Sequence, residues 1–109
     1  MASSGTVVAS DVKWARSFTD RTKGLLGLDA LEQGSALVFE PARQIHTFGM
    51  RFPLDVVFCD SHWKVLHVVR NMSPTRMTRP VVRSHFALEL AGGSLPEDVR
   101  KGETLRVTP

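Results

Sequence analysis

The chain has 109 residues, 42% of them hydrophobic, and this composition is sufficient for one domain with a core of its own. Cys59 is the only cysteine, which excludes an intrachain disulfide, and no apolar run approaches the ~20 residues of a membrane helix. We therefore expect a single domain over residues 1–109 with no membrane segment. The lack of a signal-like apolar stretch near the N-terminus predicts a cytoplasmic location.

The first part of the chain is expected to contain strands and one short helix. Residues 6–14 begin with a β-rich run and continue with a loose alternation, which predicts one strand or two short ones. Residues 17–27 open with an S-x-x-D capping signal and close with a glycine, a pattern typical of a short helix. The compact apolar run at 36–39 predicts a further strand, ended by the proline that follows soon after.

The longest strand pattern lies at residues 45–60 and contains polar residues in an apolar setting. A period of two places one set of side chains on the same face of an extended segment, namely His46, Phe48, Met50 and Phe52. Pro53 interrupts the pattern, and a second strand then resumes with Asp55 among aliphatic residues. We expect the chain to be organised around this stretch.

The second half of the chain is predicted to be mostly β. Residues 54–60 and 63–70 form the best hairpin, joined by a tight turn, and residues 71–80 read as a mobile basic loop with two prolines. Further short strands are expected at 81–83, 86–90 and 104–107. Turn signals about every 8 to 12 residues predict a mainly β (β-rich α+β) fold. We expect a compact antiparallel barrel or sandwich of about seven short strands with one short helix.

Five side chains are candidate ligand-binding residues: His46, Met50, Phe52, Asp55 and Glu89. The imidazole would donate or accept a hydrogen bond at the mouth of a pocket, and the methionine and phenylalanine would form an apolar wall. The two acids would bind polar groups of the ligand. Each also has a purely structural interpretation, such as a carboxylate that bonds backbone amides or an acid that points outward from its sheet. The binding hypothesis requires the histidine and both acids to converge on one hollow.

The charge distribution predicts a basic surface, on a chain whose net charge is +3. No acid occurs between Asp60 and Glu89, and the same interval carries Arg76, Arg79 and Arg83. These arginines could form an anion-binding rim, although such a cluster is more often simply a solvated surface. Nucleic-acid binding is disfavoured, because single-strand binding also needs exposed aromatic side chains.

Metal and cofactor sites are not predicted. The sequence has neither a Cys-x-x-Cys nor a His-x-x-x-His pattern, and Cys59 alone cannot make a thiolate site. An acid beside Cys59 would also oppose the formation of a nucleophilic thiolate.

Four blocks of residues, in order, carry a family resemblance. They are RTKGLLG at 21–27, ALVF at 36–39, HTFGMRFPLDVVFCD at 46–60, and LELAGG at 88–93 with a later Gly102–Glu103. From about Val7 to Val107 the chain resembles the domain of unknown function 192 family. The resemblance implies a small β-rich domain of bacteria and archaea, a barrel or sandwich carrying a helix, with no established activity. Many members have a cysteine shortly before the histidine, where this chain has Ala42 or Arg43, so no cysteine role is carried over.

Three functions remain open from the sequence. The first is a non-enzymatic β-domain, a monomer or weak homodimer, that binds a small molecule or peptide in a pocket around HTFGMRFPLD. The second is a hydrolase- or transferase-type enzyme that uses Asp55 or Glu89 with His46. The third is anion or RNA binding by the basic loop at 70–83. We favour the first, because the polar residues interrupt an otherwise apolar central stretch.

Overall fold

The strands form from the short apolar and alternating runs of the sequence. The computed structural model describes residues 2–3, 6–7, 11–15, 34–45, 52–74 and 76–106. The strands are β1 (Ala2–Ser3), β2 (Thr6–Val7), β3 (Asp11–Ala15), β4 (Ser35–Phe39), β5 (Leu54–Cys59), β6 (Val65–Met72) and β7 (Phe86–Ala91). The helix predicted over 17–27 and the extended segment predicted over 46–51 lie outside the described residues.

One five-stranded sheet dominates the fold, in the order β3-β4-β7-β5-β6. Strands β4, β7, β5 and β6 are mutually antiparallel, whereas β3 runs parallel to β4. The two short strands β1 and β2 pair separately. The predicted hairpin is confirmed as β5 and β6, although Trp63 lies in the turn with a φ of 67° and not in the strand.

The expected mainly β fold is confirmed, but the described sheet departs from the expected antiparallel barrel or sandwich in three respects. The described sheet has edges at β3 and β6 and includes one parallel pair, so it is neither closed nor wholly antiparallel. Residues 81–83 form a turn in which the Ser84 N–H donates to the Val81 carbonyl. They do not form the predicted strand. Within residues 104–106 of the predicted last strand, the structure has isolated bridge positions, among them Thr104 with Lys64, and no continuous strand.

Both faces of the sheet are covered, so the central strands β5 and β7 are buried almost throughout. The face that we call the C-terminal face carries Val57, Leu88 and Leu90 and is covered by the segment containing Leu95 and Val99. The opposite face, which we call the loop face, carries Leu54, Val56 and Phe58 among others. It is covered by residues before β5 and after β6, namely Ala42, Ile45, Phe52 and Met72. These strands therefore read as continuous apolar runs, as expected for strands buried on both sides.

An aromatic cluster joins the two edges of the sheet at one end. Trp63 stacks on Phe86 with ring centroids 3.8 Å apart, and Trp14 of β3 meets the Trp63 ring edge-on at 5.8 Å. Aromatic pairs of this kind contribute about 0.5–1.5 kcal/mol beyond their buried area. Side-chain packing thus brings β3 towards the start of β6, although no described hydrogen-bond ladder connects them.

Candidate functional site

Asp55 is completely buried and holds two separate parts of the backbone together. The pairing of β5 with β6 shifts register here, since Leu54 faces Met72 and Val56 faces Val69. Two residues of β6 therefore oppose the single residue Asp55, which is a β-bulge. The bulge leaves the Asn71 N–H to donate to Asp55 Oδ1 at 2.8 Å.

The other carboxylate oxygen of Asp55 accepts a hydrogen bond from the segment after β7 that contains Leu95 and Val99, which we call the C-terminal segment. The Leu95 N–H donates to Asp55 Oδ2 at 2.9 Å. Each oxygen therefore accepts one backbone N–H, in agreement with the structural interpretation of this acid. A buried carboxylate is stable only when such donors compensate for its lost hydration.

Two of the sequence blocks that carry the family resemblance meet beside Asp55. The Gly92 N–H donates to the Pro53 carbonyl at 3.1 Å, which joins the PLD residues to the glycine pair after β7. A Cβ at position 92 would lie 2.9 Å from Asn71 Oδ1 and 3.1 Å from two carbons of the Pro53 side chain. Only glycine allows this close approach without a shift of its neighbours.

Arg70 adds a second connection to the C-terminal segment, and sequence reasoning missed it. Its guanidinium donates to the main-chain carbonyls of Leu95, Pro96 and Val99 at 2.8–3.0 Å. The signal in the sequence was an arginine at the end of an apolar alternation, but its partners lie 25 to 29 residues away. Two side chains at the bulge, the Asp55 carboxylate and the Arg70 guanidinium, therefore bind the backbone of the segment after β7.

Glu89 is the buried acid for which the described residues provide no partner. It lies in the middle of β7, opposite Leu37 of β4 and Val56 of β5, and is 5% exposed. No described hydrogen-bond donor contacts its carboxyl group. Burial raises the pKa of Glu89 to about 8, so the carboxyl is mainly protonated at neutral pH.

The two acids do not share a pocket. Asp55 pairs with Leu90, whereas Glu89 pairs with Val56, so the carboxyl groups project from opposite faces of the sheet. The expectation that both acids line one hollow is therefore wrong, because the sheet lies between the two carboxyl groups and prevents them from sharing acid–base chemistry. Phe52 belongs to the cluster on the loop face, which is also the face of Glu89.

Two of the candidate ligand-binding residues, His46 and Met50, lie outside the described residues. Their predicted part in a pocket stays a prediction. The described residues on either side of them, Ile45 and Phe52, are both buried in the cluster on the loop face.

The predicted arginine rim is only partly assembled. Arg76 and Arg79 line an open groove of about 540 Å³ between β6 and the segment at 76–79, together with the unpredicted His67 and Met77. Arg83 is exposed but does not line this groove. The segment is held in place, since buried Thr78 exchanges hydrogen bonds with residues 44 and 45.

The remaining chemistry of the described residues is limited. Burial, reinforced by the negative charge of Asp60, raises the pKa of the Cys59 thiol to about 12, which opposes thiolate formation. His85 Nε2 and Glu40 Oε2 lie 2.9 Å apart near the surface.

Across the described ranges, no three His, Cys, Asp or Glu side chains are grouped as metal ligands. No helix of the described residues is long and apolar enough to cross a membrane.

The structure thus defines a small mainly β domain with a carboxylate-centred joint on one face of its sheet and a buried, neutral acid on the other. The family model of domain of unknown function 192 (DUF192), described as "Uncharacterized ACR", matches residues 1–107, and the chain belongs to this family. No curated protein matches the chain.

Two solved structures have the same fold. A protein of unknown function from Novosphingobium aromaticivorans DSM 12444 aligns with a TM-score of 0.77 and 19% identity, over 88% of this chain and 74% of that one. A putative transcription regulator from Sinorhizobium meliloti 1021 aligns with a TM-score of 0.74 and 21% identity, over 87% of this chain and 79% of that one. At these identities the likeness concerns the fold alone.

Proposed function

We propose that the protein is a small non-enzymatic β-domain that binds a small ligand on the loop face of its sheet, with Glu89 as the polar anchor. The observation that carries the proposal is a carboxyl group buried in the middle of a strand with no described donor. Buried polar groups in native proteins are nearly always hydrogen-bonded, and an exception calls for an explanation such as a ligand. An unpaired buried carboxyl lowers stability, and such a loss is typical of a functional group.

The chemistry of the ligand follows from the state of the acid. A protonated carboxyl donates one hydrogen bond and accepts another, which matches an amide or a similar neutral group. An amine would instead bind as a cation and draw the carboxyl into its ionised form. Phe52 supplies apolar surface on the same face, and His46 and Met50 belong to this pocket by our sequence prediction.

The enzymatic alternative has less support. Both oxygens of Asp55 already accept backbone N–H groups, and Glu89 lies across the sheet from it. A general acid or base must lie within hydrogen-bond reach of the substrate's reacting group, and Asp55 is completely buried. An enzyme that uses Glu89 with His46 stays a prediction from the sequence.

The test uses two simple probes, acetamide as the neutral amide and ethylammonium as the cation. Each is titrated into ¹⁵N-labelled protein at pH 7, and the backbone amides of Leu37, Val56 and Glu89 are followed by NMR. We expect saturable shifts of these amides with one probe or both. The shifts should be absent in Glu89→Leu and retained in Glu97→Gln, which removes an exposed carboxyl of the same type.

Two results would refute the proposal. One is the absence of saturable shifts with either probe. The other is an equal response in wild type and Glu89→Leu. A Glu89→Leu variant that is more stable than wild type agrees with either view, because removing an unpaired buried acid relieves its desolvation whether or not it binds a ligand. The amide shifts therefore decide between a binding group and a merely buried one.

A further inference from the structure

We propose that the groove beside β6 is a docking site for an extended acidic peptide, which adds as a strand to the outer edge of β6 in the described sheet. This inference is independent of the ligand site at Glu89, which does not line the groove. Strand β6 is the last strand of the sheet, and beyond Val65 its outer edge pairs with no other described strand. Such an edge presents unpaired backbone N–H and C=O groups, which an incoming strand can satisfy.

The groove offers apolar surface beside β6. It runs between β6 and the segment at 76–79, and Val69 and Met77 supply apolar surface along it. Met77 is 56% exposed, which is unusual for a large apolar side chain in the described part of the chain. Because Thr78 fixes the segment to residues 44 and 45, the groove is formed before any partner arrives.

The charge of the groove selects an acidic partner. His67, Arg70, Arg76 and Arg79 lie along it, and its described lining contains no aspartate or glutamate. The Arg70 guanidinium donates to carbonyls of the segment on the opposite face, so the charge available to a peptide comes from the segment at 76–79. A peptide that alternates apolar and acidic residues would place one set of side chains on Val69 and Met77 and the other towards the arginines at 76 and 79.

A single-stranded nucleic acid fits the groove less well. Stacking on aromatic side chains supplies much of the affinity in sequence-tolerant binding of single strands. The ring in the described lining is His67, and it already stacks on Phe58 with ring centroids 6.2 Å apart. Apolar contacts and a strand edge are instead the features of peptide recognition by strand addition.

The experiment measures binding of a fluorescein-labelled hexapeptide of alternating glutamate and valine by fluorescence anisotropy at 50 mM salt. We expect Arg79→Gln to weaken binding about threefold to fivefold, as for an exposed charge pair. Met77→Ser should also weaken it. Arg83→Gln removes the same charge from a neighbouring exposed position outside the groove and should leave the affinity unchanged.

Two further probes separate strand addition from simple charge attraction. A hexapeptide with N-methyl groups on alternate residues has lost half of its backbone donors and should bind at least tenfold more weakly. In addition, the backbone amides of residues 66–72 should exchange more slowly with solvent when the unmodified peptide is bound. Equal loss of affinity in Arg79→Gln and Arg83→Gln would overturn the proposal. So would undiminished binding of the methylated peptide, or tighter binding of an oligouridylate of equal charge.

Discussion

Replacement of Asp55 by asparagine tests the central joint of this fold. The asparagine oxygen can accept only one of the two backbone N–H groups that Asp55 holds, from Asn71 and Leu95. The new NH₂ group then faces the other N–H, so that two donors oppose each other in a fully buried place. Loss of a hydrogen bond to a charged group costs about 1.5–3 kcal/mol, and a stranded buried donor costs about 1–3 kcal/mol more.

We therefore expect Asp55→Asn to lower the free energy of unfolding by about 3–5 kcal/mol, a large part of the 5–15 kcal/mol typical of such domains. At a typical m-value, the midpoint of urea unfolding should fall by about 2 M. Equilibrium urea unfolding, followed by tryptophan fluorescence, measures this change. Trp63 and Trp14 lie in the aromatic cluster and report its loss.

A matched control is available at the neighbouring turn. Asp60 Oδ1 also accepts two backbone N–H groups, from His62 at 2.8 Å and Lys64 at 3.0 Å, but in an exposed setting. Asparagine forms such turns almost as well as aspartate, so Asp60→Asn should cost about 0.5 kcal/mol or less. Equal losses in the two variants, or a loss below about 1 kcal/mol in Asp55→Asn, would refute our account of the buried joint.

Three other changes have definite expected outcomes. Burial raises the pKa of Glu89 from 4.5 to about 8, so the unfolded chain loses this proton first. Wild type should lose stability as pH rises between these values, by roughly 1.4 kcal/mol per pH unit, and Glu89→Gln should flatten the curve in urea titrations from pH 4.5 to 9. Arg70→Met keeps the apolar stem but loses its hydrogen bonds to the carbonyls of the C-terminal segment, and should cost about 2 kcal/mol in urea unfolding. Gly92→Ala should lower stability by about 1–3 kcal/mol, seen as a lower Tm, because its Cβ would press on Asn71 and Pro53.

The controls for these changes use residues of the same type in open surroundings. Glu97→Gln should leave the pH dependence of stability as it is in wild type, and Arg83→Met should cost less than about 0.5 kcal/mol. A pH profile that is as steep in Glu89→Gln as in wild type would contradict the assignment to this carboxyl. An Arg70→Met or Gly92→Ala variant with wild-type stability would contradict the corresponding contact.

The local parts of the fold were predictable from the sequence. The hairpin of β5 and β6 follows from two adjacent runs and a polar turn, and the runs at 36–39 and 86–90 follow from their apolar composition. Trp63 was misassigned to a strand because it continues an apolar alternation. Asp60 accepts the N–H groups of His62 and Lys64, and these bonds extend the turn through Trp63.

The long-range parts of the fold were not predictable from local patterns. Whether Asp55 and Glu89 face the same side depends on the pairing of β5 with β7, in which Asp55 faces Leu90. A shift by one residue would have placed the two acids on one face, and the sequence alternation alone does not distinguish the two registers. The parallel pairing of β3 with β4 likewise joins segments that are distant in sequence, and local patterns do not indicate which strands pair. The buried state of Glu89 follows from the same register, and therefore could not be inferred from its position between two leucines.

The position of β7 has a consequence for how the chain reaches its native state. This strand is the last of the sheet in sequence, yet it lies between β4 and β5 and hydrogen-bonds to both. On the ribosome, β4 and the hairpin of β5 and β6 therefore emerge before the strand that lies between them in the sheet. The central β4-β7-β5 pairing can form only after residue 91 has left the exit tunnel, so the sheet is completed late relative to the synthesis of β4.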